Sequence, residues 1–153
     1  MVRRRFLLFL GWVSFALIGG ASAAEPPLAG FKTVEIAPTK TSIYVGTVSL
    51  TMPVLQRNNI TYSATYVAKV FPFFFESENG ELSIDIPNED LIRLARGEVV
   101  NFVGRGKNSD GQERRIEGRA IPADAQSGKI KVRVFVSKKI QLIFNTTYRF
   151  PQA

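Results

Sequence analysis

From Ile60 to Val70 the chain alternates, with Ile60, Tyr62, Ala64, Tyr66, Ala68 and Val70 on one face and Val67 the one apolar residue on the other. Thr61, Ser63, Thr65 and Lys69 make up the rest of that second face. Period two over such a length excludes a helix and demands a half-buried strand. A strand of this kind needs partners, so the rest of the chain must supply a sheet.

The partners are legible on both sides. Ile43, Tyr44, Val45, Val48, Leu50 and Met52 alternate with a slip near Gly46-Thr47, which reads as a bulge. Glu78-Asn79-Gly80-Glu81 reads as a turn, followed by the alternating Leu82, Ile84 and Ile86. Further strands are expected at about 98–104, 113–121, 129–136 and 140–150, with Asn108-Ser109-Asp110-Gly111 as a hairpin turn. One short helix is expected to begin at an Asn88 cap and end at Gly97 in the left-handed conformation. Glu89 and Arg93 are spaced to pair on it. About seven short strands and one helix predict a mainly β fold, an antiparallel β-sandwich or a partly open barrel.

The first 23 residues are a different kind of segment. Arg3, Arg4 and Arg5 precede an apolar run from Phe6 to Ile18, and Ala21-Ser22-Ala23 fits a peptidase site. This is the pattern of a signal peptide, with cleavage after Ala23 and a periplasmic or extracellular destination. Retention of the segment as an anchor is the alternative. The organisation expected is therefore a signal peptide at 1–23, a proline-bearing lead-in at 24–40 with a short strand at Lys32–Ile36, and the β domain at 41–153. Beyond residue 23 no stretch is long and apolar enough to span a membrane.

Composition then removes chemistries. The sequence has no His and no Cys. Thiolate nucleophiles, disulfides and iron–sulfur or zinc-thiolate sites are excluded, and so are the commonest general base and metal ligand. No catalytic, dinucleotide or phosphate-loop motif occurs, so no catalytic residue, metal site or cofactor is expected. The acidic stretch Glu76, Glu78, Glu81, Asp85, Glu89 and Asp90 reads as a solvated turn, a strand's outer face and a helix start.

Two clusters remain as candidate sites. Residues 24–104 carry six basic and nine acidic side chains, net −3; residues 105–153 carry eleven and four, net +7. Alternation places Arg115, Arg119, Lys129, Lys131 and Arg133 on outer strand faces. Paired strands would set like charges opposite each other, and an anionic partner would offset the repulsion. Outside a cytoplasm that partner would be an anionic envelope component or an acidic protein; nucleic acid is not expected. The second cluster is aromatic: Phe71, Phe73, Phe74 and Phe75, with Tyr62 and Tyr66 close in sequence. These rings read first as core filler, since no Trp follows residue 23, and alternatively as the lining of a pocket for a lipid or other apolar ligand. The functional expectation is an exported, non-catalytic binding or structural module. A carrier of an apolar ligand is the alternative, and a carboxylate-dependent hydrolase the second alternative.

Overall fold

The computed structural model describes residues 28–152; the expected signal peptide and its cleavage site lie outside the described residues. A 3₁₀ turn at Leu28–Phe31 leads into β1 (Thr33–Ile36), β2 (Thr39–Ile43), β3 (Gly46–Thr51), β4 (Leu55–Asn58) and β5 (Thr61–Phe71). After a second 3₁₀ turn come β6 (Glu78–Asp85), α1 (Asn88–Ala95), β7 (Val100–Asn108), β8 (Glu113–Pro122), β9 (Ser127–Phe135) and β10 (Gln141–Arg149).

All pairings are antiparallel and the sheet closes on itself. The order runs β2-β3-β5-β4-β1-β10-β9-β8-β7-β6, and β6 returns to pair with β5 from Thr61↔Asp85 to Ala68↔Glu78. Eight strands thus form a closed barrel, with the β2–β3 hairpin as two outer strands. The mainly β class and the single helix are as expected. The two facing sheets of a sandwich are replaced by one closed wall, because β5 is long enough to pair with β6 on one edge and with both β4 and β3 on the other. Closure gives each of the eight barrel strands a partner on both sides.

Several local expectations need correction. The slip near Gly46 is a hairpin: Ile43 pairs with Gly46 across the Tyr44-Val45 turn, and no bulge is needed. Glu78-Asn79-Gly80-Glu81 is the start of β6, paired with β5 and β7. The segment read as a lead-in contributes, from Leu28 on, to the wall itself, since β1 bridges β10 and β4. Asn88 opens α1 but makes no cap; its Oδ1 accepts from Arg57 Nη2 at 2.8 Å. Arg93 pairs with Asp90 at 3.1 Å in place of Glu89. Gly97 does take the left-handed conformation, φ +86°.

The helix decides the shape of the interior. It connects β6 to β7, at the end where β5 and β7 begin and β8 and β10 finish. Leu91 and Leu94 turn inward and join Phe31, Val34, Leu55, Tyr62, Val100, Tyr148 and Phe150 in one cluster. The Phe31 and Phe150 rings meet edge-on, centroids 4.7 Å apart, and the Tyr62 hydroxyl donates to the Phe31 carbonyl. This end of the barrel is packed shut. Leu91 is fully buried, so Leu91→Ala should cost about 2–5 kcal/mol, the usual range for a core leucine. Urea titration measures it; an unchanged midpoint would mean that α1 does not close this end.

Candidate functional site

The opposite end is built differently. There the inward faces of β3, β5, β8, β9 and β10 carry Val48, Leu50, Ala68, Val70, Ile116, Val134, Leu142 and Phe144, and no helix among the described residues covers them. They surround a cavity of about 470 Å³ that reaches the turns at Tyr44-Val45, Phe73–Glu76 and Val136–Ile140. Medium-sized aliphatic side chains on a closed wall leave such a space unless an aromatic layer fills it. The aromatic layer here is at the other end.

One polar group of side chains faces into this apolar chamber. Tyr66 donates its hydroxyl to Glu78 Oε1 at 2.9 Å. Glu78 Oε2 accepts from Arg114 Nη2 and from Asn108 Nδ2, both at 3.2 Å. Gln112 Oε1 accepts from the same two donors at 3.0 and 3.1 Å. Arg114 Nη1 reaches the Val136 carbonyl at 3.4 Å. Asn108 is itself buried, and its Oδ1 accepts from the backbone N–H of Asp110 and Gln112, holding the β7–β8 turn. The Arg114–Glu78 pair is shielded, with side-chain exposures of 15% and 27%. Buried charge persists only when it is paired and hydrogen-bonded, and this pair is both. Burial pushes the Tyr66 phenol well above its ordinary range, and the hydrogen bond to Glu78 adds to the rise.

The six aromatic candidates are divided by the fold. Tyr66 and Phe73 line the chamber. Tyr62 is buried in the closed end, under the Arg57 guanidinium, 5.6 Å from its ring centre. Phe71, Phe74 and Phe75 are exposed outside the opening, so they are neither core filler nor lining. Phe71 is the last residue of β5 and faces outward by parity with Val67 and Lys69, while Pro72 ends the strand and Phe74 and Phe75 follow on the connection beyond it.

The five basic candidates stay together on the outer wall. Arg115, Arg119, Lys129, Lys131 and Arg133 are all exposed. Arg119 stands opposite Lys131, a like-charge pair, while Glu117 stands opposite Arg133. Arg115 pairs with Glu117 and lies over the Phe135 ring, 5.4 Å from its centre. The face is a solvated surface with part of its charge already compensated.

Glu78, Asn108, Gln112 and Arg114 are functional candidates that the sequence reading missed. One signal was available for Arg114: it shares strand parity with Ile116 and Ala120, and therefore faces inward. Glu78 shares the parity of Leu82 and Ile84, a signal hidden by the expectation of a turn at Glu78-Asn79-Gly80-Glu81. The other acidic residues are dispersed. Asp85 accepts from Thr61 at 2.6 Å, Asp90 pairs with Arg93, and Glu81 is exposed. Among the described residues no three His, Cys, Asp or Glu side chains converge as metal ligands, and no helix is long and apolar enough to cross a membrane.

Comparison of the chain with family models found no match, and searches of the curated proteins and of the solved structures found none either.

Proposed function

We propose that this chain is an exported, non-catalytic carrier that holds one small apolar molecule in the open end of its barrel. The observation that carries the reading is the chamber of about 470 Å³, lined mainly by apolar side chains, with the Tyr66–Glu78–Arg114 group inside it and Glu76 on the turn at its mouth. Its size falls within the usual range of small-molecule sites, and its few polar groups converge, as ligand sites require. The Arg3–Arg5 and Ala21–Ala23 pattern supports export. The absence of His and Cys from the sequence, and the engagement of Glu78 by three donors, support binding over catalysis.

The polar group also narrows the ligand. Arg114 is neutralised by Glu78, so a carboxylate entering the chamber would meet a negative charge as well as a positive one. A neutral hydroxyl, ester or ketone pairs with Tyr66 without that penalty. The ligand class proposed is an apolar molecule with one uncharged polar end.

A long-chain fatty alcohol is the probe, and the matching fatty acid its comparison. At a hundredfold excess over Kd the alcohol should add about 2.7 kcal/mol and raise Tm by roughly 5–10 °C. Gly106 faces the chamber, and a Cβ there would make only ordinary contacts, 3.6 Å to the Tyr66 ring and 3.7 Å to Arg114. Gly106→Val is therefore expected to fill the space with the fold retained, which circular dichroism checks, and affinity should drop by about tenfold or more. A wild-type Tm unmoved by the alcohol, with no lipid retained in native mass spectrometry, would refute carriage.

A further inference from the structure

We propose that the open end of the barrel docks on an anionic lipid bilayer. The three turns around the opening are tipped with side chains that a water-facing turn ordinarily avoids. Tyr44 and Val45 lie exposed on the β2–β3 turn, Phe73, Phe74 and Phe75 on the β5–β6 connection, and Ile140 on the β9–β10 turn. Phe75 is 81% exposed and Phe74 62%. Their rings meet edge-on: Phe74 with Phe71 at the end of β5, centroids 5.7 Å apart, and Phe73 with Phe75, 5.8 Å apart. Apolar exposure gathered on one end of a small protein marks a contact surface.

The occupant follows from shape and charge. The apolar residues stand on separate projecting turns around a hole, a form that enters a soft surface and leaves a flat rigid one poorly covered. Aromatic rings at the tips suit the boundary between headgroups and acyl chains. Lys138 and Lys139 are exposed beside Ile140, where they would meet anionic headgroups as the rings insert. Glu76 and Asp110 are the acids on the turns at this end. A second copy facing the first would bring the two lysine pairs toward each other, and a bilayer would not. The chamber opens within this rim, so an apolar ligand could pass between acyl chains and barrel without crossing water.

Docking does not require the chamber to be filled, so the two readings fail separately: Gly106→Val should lose the ligand and keep the membrane. The test uses the 24–153 chain, since residues 28–152 supply every strand of the closed barrel and its helix. Vesicles of phosphatidylcholine alone, and of phosphatidylcholine with phosphatidylglycerol, are sedimented with the protein. Wild type should bind the anionic vesicles more tightly. Phe74→Ser with Phe75→Ser should weaken binding by about tenfold or more. Lys138→Glu with Lys139→Glu should abolish the preference for anionic lipid. Lys131→Glu with Arg133→Glu, on the barrel's flank, should change little. All these residues are exposed, and circular dichroism verifies that each variant is folded. The proposal is overturned if wild type binds neither vesicle, or if the flank variant loses binding while the rim variants keep it. It is also overturned if the rim phenylalanines mediate a dimer in solution with no affinity for vesicles.

Discussion

Gly118→Val is expected to destabilise the domain by about 3 kcal/mol. Gly118 faces into the barrel opposite Phe102, on adjacent strands paired in register. The Phe102 ring lies flat over the glycine, and an added Cβ would overlap it, standing 2.7 Å from even the third-nearest ring atom. Phe102 is buried in the main cluster and has no open space to swing into. The β8 backbone cannot yield either, because it is hydrogen-bonded to β7 on one side and β9 on the other. Overpacking of this kind costs about 3 kcal/mol or more, a large part of the 5–15 kcal/mol available to a typical domain. Gly118→Ala paired with Phe102→Leu should recover much of the loss, and a double-mutant cycle measured by urea unfolding reads the coupling. A Gly118→Val protein with a wild-type midpoint would show that the ring does not occupy this place.

Alkali should unfold the protein cooperatively between about pH 10 and pH 12. Burial raises the phenol pKa of Tyr62, with Arg57 opposing it. Burial also raises Tyr66, followed by its hydrogen bond to Glu78 and that residue's charge, with Arg114 opposing. Tyr148 is pushed up to about 12, by burial first and then by the Asp124 carboxylate. In each case the folded pKa lies above the ordinary value of 10, so the folded state holds a proton that the unfolded chain releases. The stabilisation is complete below pH 10 and is lost as pH rises from there through the folded pKa. Each such tyrosine removes about 1.4 kcal/mol per pH unit over that window, and three act together. Far-ultraviolet circular dichroism should collapse while phenolate absorbance from these rings rises in the same transition. Tyr148→Phe, which removes one of the three protons, should make the alkaline loss less steep. Smooth ionisation of Tyr62, Tyr66 and Tyr148 with the circular dichroism unchanged would contradict their burial.

The candidate sites divide according to what strand parity can tell. Alternation assigns each side chain to one of two faces, and it correctly put Arg115, Arg119, Lys129, Lys131 and Arg133 outside and Ile130 inside. It does not say which inward residues stand near which, since that depends on register between strands far apart in the chain. Tyr66, Glu78, Asn108, Gln112 and Arg114 meet only because β5 pairs with β6, β6 with β7 and β7 with β8. The phenylalanine run shows the converse. Its hydrophobicity predicts burial, yet parity in β5 puts Phe71 outside, and the connection after Pro72 leaves Phe74 and Phe75 exposed.

By itself the sequence determined the β class, most strand positions, the one helix with its left-handed Gly97, and the absence of histidine and cysteine chemistry. These are local properties: they depend on side-chain period, on backbone freedom at a glycine, and on which atoms the chain contains. Tertiary structure alone decided that the wall closes, that α1 seals one end, and that the other end keeps a chamber with an exposed aromatic rim. The physical reason is that closure is a pairing between two edges. Whether β6 returns to β5, or lies in a second sheet, leaves every alternation pattern unchanged, and only the summed register of the whole wall distinguishes the two.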